Sequence, residues 1–208
     1  MLERITERIW YLLHDDRTDR PNLGYVRGDR LALMVDAGAS PGHVALFLSE
    51  LDRVGLPHPR VVALTHSHWD HTYGLEALCA RTGAVVLASA LTGRQLDAMA
   101  TWKWTDEAVQ GRLDRGEESA FCAEMMRKEY GADLAGVRVR TPDILFEERL
   151  TVALGGVTCE AVRVGGPHAE ESVVCFVREE RVAFLGDAAG KALHPDPAPV
   201  YQAKVRDL

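Results

Sequence analysis

The sequence predicts an α+β domain in which helices cover β-sheets, and three observations lead to this prediction. Short segments rich in β-branched and aromatic residues occupy both ends of the chain. Amphipathic segments with helical spacing lie among them, and residues 90–131 contain no β-rich run. This succession of strands, helices and strands is typical of sheets that bury a face against helices. With 208 residues, we expect a single domain spanning residues 1–208 with its own hydrophobic core.

The first ninety residues predict a β-meander followed by alternating helices and strands. Gly28-Asp29 is a typical hairpin turn between two of these strands, and Ser40-Pro41 is a typical helix start, with an N-cap followed by proline at the first helical position. The predicted strands are residues 5–13, 23–27, 31–35, 60–65 and 84–88, and the predicted helices are residues 41–54 and 72–82.

The second half predicts a helical insert and then a return to strands. Residues 90–131 accumulate alanine, methionine, glutamine, glutamate and lysine, so helix is the regular structure that we expect there. Glycine-containing or charged turns separate the later predicted strands, which are residues 144–147, 150–154, 157–164, 173–178 and 182–185. Apolar residues recur at helical spacing from Ala198 to Leu208, and we interpret this segment as an incomplete C-terminal helix.

Composition disfavours several classes of partner. The chain has 24 Lys+Arg and 31 Asp+Glu, a formal net charge of −7 and a sequence pI near 5.6, so we expect no nucleic-acid partner. The N-terminus lacks the apolar run of a signal peptide, and no segment approaches the ~18 apolar residues of a membrane span. We therefore expect no membrane partner. The four cysteines are scattered along the chain, which favours free thiols and a cytoplasmic protein.

The segment Thr65-His66-Ser67-His68-Trp69-Asp70-His71 directly follows a predicted buried strand. His66 and His68 are two residues apart and can face the same side as the strand ends, while Asp70 and His71 can point together at a neighbouring position. Imidazoles and a carboxylate suit zinc, manganese or iron. The alternative is a polar turn or a satisfied histidine network, which we disfavour because clustered histidines repel each other when protonated.

The pattern His66-x-His68-x-Asp70-His71 after a strand resembles the signature of the metallo-β-lactamase superfamily. Two later features agree with it: His168 lies in a glycine-containing loop between two predicted strands, and Asp187 follows the last predicted strand. The resemblance extends from about residue 5 to residue 187. It implies an αββα four-layer sandwich, with two sheets inside, helices outside and a metal site at one edge.

The resemblance also implies a ligand set. One metal would be held by His66, His68 and His168, and a second by Asp70, His71 and the bridging carboxylate of Asp187. Up to two zinc ions, or manganese or iron, would share a hydroxide nucleophile, which Asp70 would orient as a catalytic residue. Asp36 would support the metal-bearing loop. The remaining histidines with no ligand spacing, His14, His43 and His58, are interpreted as ordinary structural residues.

The sequence departs from the superfamily at two places. Members normally carry a further histidine after Asp187, whereas His194 lies in a proline-rich segment too early to match it. Either the C-terminal end of a longer protein is missing here, or the chain is a divergent member without the last ligand and the outer helix. In the second case we expect a weakened second metal site and a partly uncovered sheet face that favours a homodimer. In addition, residues 169–172 replace the usual small hydroxyl residue and glycine, which leaves the substrate open.

The insert at residues 90–131 falls where relatives carry a lid over the metals. Trp102 and Trp104 in this insert, together with Trp69, could line an apolar substrate pocket. The alternative, which we weigh equally, is that these aromatic residues pack between helices or form a dimer contact.

The sequence therefore predicts a metal-dependent hydrolase for a small-molecule ester, thioester, lactone, amide or phosphoester. Two alternatives stay open. An iron-dependent oxygenase is one, because two histidines and a carboxylate also suit iron. A catalytically silent binding module that keeps the fold is the other. A true β-lactamase is disfavoured, because the position of Asp187 holds no cysteine and the chain shows no secretory signal.

Overall fold

The computed structural model describes residues 1–131 and 134–189, which form two stacked β-sheets with helices against the larger one. The larger sheet contains, in spatial order, β1 (Leu2–Arg4), β2 (Ile9–Leu12), β3 (Leu23–Arg27), β4 (Ala32–Val35), β5 (Val61–Ala63), β6 (Val85–Ser89) and β7 (Ile144–Phe146). Strands β1 to β4 pair antiparallel, and β4 to β7 pair parallel.

The smaller sheet is an antiparallel meander. Its strands are β8 (Arg149–Ala153), β9 (Thr158–Arg163), β10 (Val173–Val177) and β11 (Val182–Phe184), in the spatial order β11-β10-β9-β8. The helices are α1 (Pro41–Val54), α2 (Trp69–Thr72), α3 (Leu75–Thr82), α4 (Ala90–Met99), α5 (Asp106–Asp114) and α6 (Ala120–Tyr130), with a short 3₁₀ turn at Leu134–Gly136.

The core follows the alternation of side chains along each strand. In β4, Met34 packs on the side of α1 against Phe47 and its neighbours, whereas Leu33 and Val35 face the smaller sheet. Apolar residues of both sheets, among them Val26, fill the space between them. This arrangement confirms the predicted α+β class, with helix, large sheet and small sheet as three successive layers. The helix predicted near the C-terminus lies outside the described residues.

The structure confirms the start of α1, because the Ser40 side chain accepts a hydrogen bond from the backbone N–H of His43 at 3.1 Å. Residues 90–131 form α4, α5 and α6, which confirms the helical insert. The insert packs on α2 through a cluster that contains Trp69, Tyr73 and Met126. None of the helices in the described part of the chain is both long and apolar enough to cross a membrane.

Two predicted elements were wrong in detail. The helix predicted at residues 72–82 is divided into α2 and α3, because Gly74 lies so close to another segment that a Cβ atom there would be 2.1 Å from the carbonyl oxygen of Ala37. The strand predicted at residues 5–13 begins only at Ile9, because Thr6 Oγ1 accepts backbone hydrogen bonds from Arg8 and Ile9 and closes a turn.

Candidate metal centre

The six predicted ligands come together at one edge of the two sheets. The segment from His66 to His71 follows the carboxyl end of β5 and enters α2, His168 lies in the loop between β9 and β10, and Asp187 follows β11. These connections bring residues 100 positions apart in sequence into direct contact, since His168 Nε2 lies 2.9 Å from His68 Nδ1.

The distances define two overlapping groups of ligand atoms. One group is His66, His68 and His168, the other is His66, His71 and Asp187, and within each group the ligand atoms lie within 4.8 Å of one another. Asp187 faces both groups, because its Oδ2 is 3.3 Å from His168 Nε2 and its Oδ1 is 3.6 Å from His71 Nε2. Asp70 Oδ2 lies 3.2 Å from His71 Nε2.

The ring nitrogens that face this space fit a metal. His66 Nε2 is buried and has no hydrogen-bond partner within the described part of the chain, whereas the buried His71 Nε2 lies 3.2 Å from Asp70 Oδ2 and 3.6 Å from Asp187 Oδ1. Leaving a buried polar atom unpaired costs about 1–3 kcal/mol, so an unpaired His66 Nε2 close to these carboxylates calls for a cation. Nitrogen and oxygen donors suit zinc and neighbouring divalent metals.

A single buried carboxylate fixes two of these rings. Asp36 follows β4, and its carboxylate accepts hydrogen bonds at 2.8 Å from the Thr65 backbone N–H, the Thr65 hydroxyl and His71 Nδ1. Because the Thr65 hydroxyl donates to Asp36, its oxygen can accept from His66 Nδ1, which is 3.0 Å away. Both histidines can thereby donate from Nδ1, an arrangement in which Nε2 of the neutral ring is the atom available to a metal. The predicted supporting role of Asp36 agrees with these contacts.

Charge and burial shift the pKa values of the ligands in opposite directions. Burial, reinforced by the other histidines, holds the pKa of His66 well below its usual value. Burial also acts to lower the pKa of His71, but the negative charges of Asp70 and Asp36 outweigh it and raise the pKa. For Asp70, burial acts to raise the pKa, and the contact with His71 reverses this and lowers it. Burial therefore favours the neutral form of His66, whereas His71 and Asp70 favour each other's charged forms.

Sequence analysis missed Glu171 as part of this region. Its carboxylate is buried, and Oε1 accepts a hydrogen bond from Ser67 Oγ at 2.6 Å, directly between the ligands His66 and His68. The departure of residues 169–172 from the superfamily pattern marks this loop as unusual, but it does not reveal the contact between Glu171 and Ser67.

Asp19 is a second carboxylate that sequence analysis missed, and no spacing pattern marks it. Burial, followed by the negative charge of Asp70, raises its pKa to about 6, with Asp187 acting in the same direction. A pKa raised on folding stabilises the protein at low pH, and this stabilisation is lost as the pH rises towards 6.

We therefore expect Asp19→Asn to stabilise the metal-free protein above about pH 7 and to have little effect below about pH 4. Asp19 is half-exposed, so solvent screening limits the gain to about 1 kcal/mol, which corresponds to a rise of about 2–4 °C in Tm. Thermal unfolding in a chelating buffer at the two pH values measures it. Asp97→Asn, at an exposed position on α4, is the control. An equal shift at both pH values would contradict the linkage.

The three tryptophans predicted to line a pocket all lie at the insert. Trp69 is 4% exposed and packs edge-on against Tyr73, whose ring contacts Trp104 at 5.3 Å between centroids. Trp102 and Trp104 enclose the buried guanidinium of Arg112, which is 4.6 Å from each ring centroid. These contacts show packing between helices. The pocket interpretation of the three tryptophans stays a prediction.

A cavity of about 490 Å³ borders the site on another side. Asp36, His71 and Asp187 lie along it, together with Pro21 and Phe184, and the three tryptophans do not belong to its described lining. The cavity therefore gives access to the side of the candidate metal centre where His71 and Asp187 lie, and the sequence did not predict it.

The other histidines stand apart from the ligand groups. His43 is buried in α1, and its Nδ1 accepts a hydrogen bond from the Ala39 backbone N–H at 3.3 Å; burial lowers its pKa to about 4. His58 Nε2 lies 2.9 Å from the Asp52 carboxylate on the surface. His14 is exposed. His194, and with it the question of a further ligand after Asp187, lies outside the described residues.

Comparison with known proteins gives matches of three kinds. The model of the metallo-beta-lactamase superfamily matches residues 17–207. An acyl-coenzyme A thioesterase, MBLAC2 from Gallus gallus, is 26% identical over 176 residues, which cover 81% of this chain and 57% of the relative. The chain thus spans less than two thirds of this curated relative.

Solved structures of metallo-β-lactamases share the fold. BJP-1, a subclass B3 enzyme of Bradyrhizobium japonicum, is 15% identical with a TM-score of 0.63, covering 99% of this chain and 72% of that one. The Cronobacter sakazakii enzyme with an HARLDQ motif is 21% identical with a TM-score of 0.59, covering 85% of this chain and 59% of that one. Since the family model matches nearly the whole chain and the sheets carry the expected ligand residues at one edge, the chain belongs to the metallo-β-lactamase superfamily.

Proposed function

We propose that the protein is a metal-dependent hydrolase that cleaves carboxylic thioesters of small molecules. The observation that carries the proposal is the buried Nε2 of His66, which has no hydrogen-bond partner among the described residues and belongs to a ligand group with His71 and Asp187. The choice of thioester among the bonds that the sequence left open is supported by the similarity to an acyl-coenzyme A thioesterase.

In this proposal zinc is the resident metal, with up to two ions per chain. His66, His68 and His168 would hold the first ion, and Asp70, His71 and Asp187 the second. A bound divalent ion supplies a Lewis acid and lowers the pKa of water towards neutrality. We expect the second site, whose described donors are one histidine and two carboxylates, to bind metal more weakly than the three-histidine site, and two tightly held equivalents of metal would contradict this expectation.

The residues of the chain supply orientation. Asp36 and Thr65 keep the rings of His66 and His71 in one tautomer, so their Nε2 lone pairs point into the site. Asp70 lies beside His71 Nε2, where its carboxylate can accept a hydrogen bond from the attacking water and fix its direction. In the overall reaction the water oxygen bonds to the acyl carbon, the carbon–sulfur bond breaks, and a water proton passes to the departing thiolate.

A substrate panel tests the proposal. The protein, loaded with zinc, manganese or iron, is assayed on matched acyl thioester, oxoester, lactone, amide and phosphodiester substrates. We expect thioester hydrolysis to have the highest kcat/KM, to disappear on chelation and to return when zinc is added back. A clear preference for another bond would overturn the thioester assignment. Oxygen uptake by the iron form would favour the oxygenase instead, and full metal loading with no turnover would favour the silent binding module.

The pocket proposed for the insert has a separate prediction. If Trp102 contacts substrate, Trp102→Ala is expected to raise KM several-fold with metal content unchanged, because the substrate loses apolar contact. Steady-state kinetics and metal analysis measure this, with Phe121→Ala as the control, since Phe121 is 55% exposed on the same insert. Unchanged kinetics with a changed oligomeric state would instead assign Trp102 to a homodimer contact.

The proposal also includes the compartment and the partners. Free cysteines are stable in a reducing compartment, and all four cysteines are unpaired, which supports a cytoplasmic enzyme. The acidic net charge of −7 supports a small-molecule substrate over nucleic acid.

A further inference from the structure

Glu171 occupies an unusual place for a carboxylate. It lies three residues after His168 in the loop between β9 and β10, and only 7% of its surface is exposed. Its Oε1 accepts hydrogen bonds from Ser67 Oγ at 2.6 Å and from the Ser67 backbone N–H at 3.4 Å. Ser67 separates the ligands His66 and His68, so one side chain connects the loop of the third ligand to the turn that carries the first two.

Backbone contacts hold the same two segments together around this link. The Val173 N–H donates to the Thr65 carbonyl at 2.7 Å, and Ser89 Oγ, at the end of β6, donates to the Glu171 carbonyl at 3.4 Å. The loop is closed on itself by the hydrogen bond from Ser172 Oγ to the Ala169 carbonyl at 2.8 Å. The ends of β5 and β6 and the loop after β9 therefore meet at Glu171.

Burial of the Glu171 carboxylate has a free-energy cost that its contacts must offset. Removing an ionised carboxylate from water is costly, and hydrogen bonds to it offset that cost only when their geometry is good. A hydrogen bond between a hydroxyl and an ionised carboxylate is short and about twice as strong as a neutral one. Such a bond resists displacement of Ser67, and with it displacement of the flanking histidines. The negative charge of Glu171 also acts on His68, where it favours positive charge and would therefore favour a cation held by that ring.

We propose that Glu171 is a positioning residue for the three-histidine group. Its carboxylate acts through Ser67 to fix His66 and His68 relative to His168, and it thereby sets the affinity of the first metal site. This inference rests on the proposed function, because it concerns the ligands assigned there.

The test compares Glu171→Gln, Glu171→Ala and Ser67→Ala with Glu170→Gln, which removes a charge from the exposed neighbouring position. Zinc affinity is measured by competition with a chromophoric chelator, and ligand geometry by the visible absorption of the cobalt-loaded protein. We expect Glu171→Ala and Ser67→Ala to weaken zinc binding by about 10- to 100-fold and to alter the cobalt spectrum. Glu171→Gln should retain part of the affinity, because an amide oxygen can still accept from Ser67.

Coupling between the two residues gives a second criterion. The double variant Ser67→Ala/Glu171→Ala should bind zinc no more weakly than the worse single variant, because both changes remove the same contact. If Glu171→Ala does not fold, zinc affinity and the cobalt spectrum are measured on Glu171→Gln and Ser67→Ala instead. Wild-type affinity and cobalt spectra in the folded variants would overturn the inference.

The two proposals fail in different ways. Zinc affinity that depends on Glu171 in a protein that hydrolyses none of the panel substrates would refute the proposed function and leave the positioning role standing. Thioester hydrolysis with zinc affinity that is unchanged in every Glu171 variant would refute the positioning role alone.

Discussion

Replacing Asp36 with alanine is expected to destabilise the metal-free protein by about 3–5 kcal/mol, because three donors lose their acceptor in the interior. The donors are the Thr65 backbone N–H, the Thr65 hydroxyl and His71 Nδ1, all bonded to a carboxylate that is 2% exposed. Asp36 also has a positive φ of 61°, a conformation that aspartate and asparagine tolerate better than alanine. Chemical denaturation in a chelating buffer measures the loss.

Asp36→Asn separates stability from metal binding. Asparagine retains the shape, the left-handed backbone and one acceptor, so we expect a loss of only about 1–2 kcal/mol. In Asp36 one oxygen accepts from the Thr65 backbone N–H and the other accepts from the Thr65 hydroxyl and His71 Nδ1. The amide of asparagine has one oxygen and places an NH₂ group against the remaining donor, so the tautomers of His66 and His71 are held less firmly. Zinc affinity should therefore fall by about 10- to 100-fold.

The control is Asp52→Ala, which removes a surface carboxylate paired with His58 and should change stability by less than about 0.5 kcal/mol. If Asp36→Asn binds zinc as tightly as the wild type, Asp36 does not govern the histidine rings.

Part of the candidate metal centre could be predicted because four of its residues are close together in the sequence. The short segment after β5 contains His66, His68, Asp70 and His71, so the chain itself keeps these side chains near one another. His168 and Asp187 are different. Only the resemblance to the superfamily connected them with the first motif, since their approach depends on how the second sheet stacks on the first.

Features that depend on distant contacts could not be read from the sequence. Gly74 divides a helix because Ala37 passes beside it, and nothing local to residues 72–82 shows that contact. Glu171 stands in a Glu-Glu pair that looks like a surface loop, yet it pairs with Ser67, 104 residues away. Trp69 adjoins Asp70 in the motif, but the turn of α2 directs its ring towards the insert. Each case is a tertiary constraint on a locally ordinary residue.

His66→Ala is expected to have the largest effect on activity, because His66 belongs to both groups of ligand atoms. We expect the kcat of the proposed hydrolysis to fall on the order of 10³-fold or more, with loss of metal from the three-histidine site and weaker binding at the site of Asp70, His71 and Asp187, which His66 borders. His68→Ala and His71→Ala should each empty mainly one site, the first by loss of a ligand in the three-histidine group and the second by loss of the ligand beside Asp70. Metal analysis of dialysed protein distinguishes these outcomes.

The stability of the metal-free protein should change much less in His66→Ala than its activity does. In the metal-free protein His66 Nε2 is buried without a partner among the residues that the structure describes, and the centroid of its ring lies 4.2 Å from that of His71. Removing the imidazole relieves one unpaired atom and leaves a small cavity, and these two effects oppose each other. We therefore expect metal-free His66→Ala to unfold within about 1–2 kcal/mol of the wild type, a smaller loss than burial alone would suggest.

The matched control is His58→Ala, which removes a surface imidazole far from the ligand groups and should leave both metal content and hydrolysis unchanged. If the free energies of unfolding of His66→Ala and the wild type differ only when both proteins are loaded with zinc, His66 stabilises the fold by binding the cation. If His66→Ala keeps its hydrolytic rate within about tenfold of the wild type, the histidine cluster is not the catalytic centre.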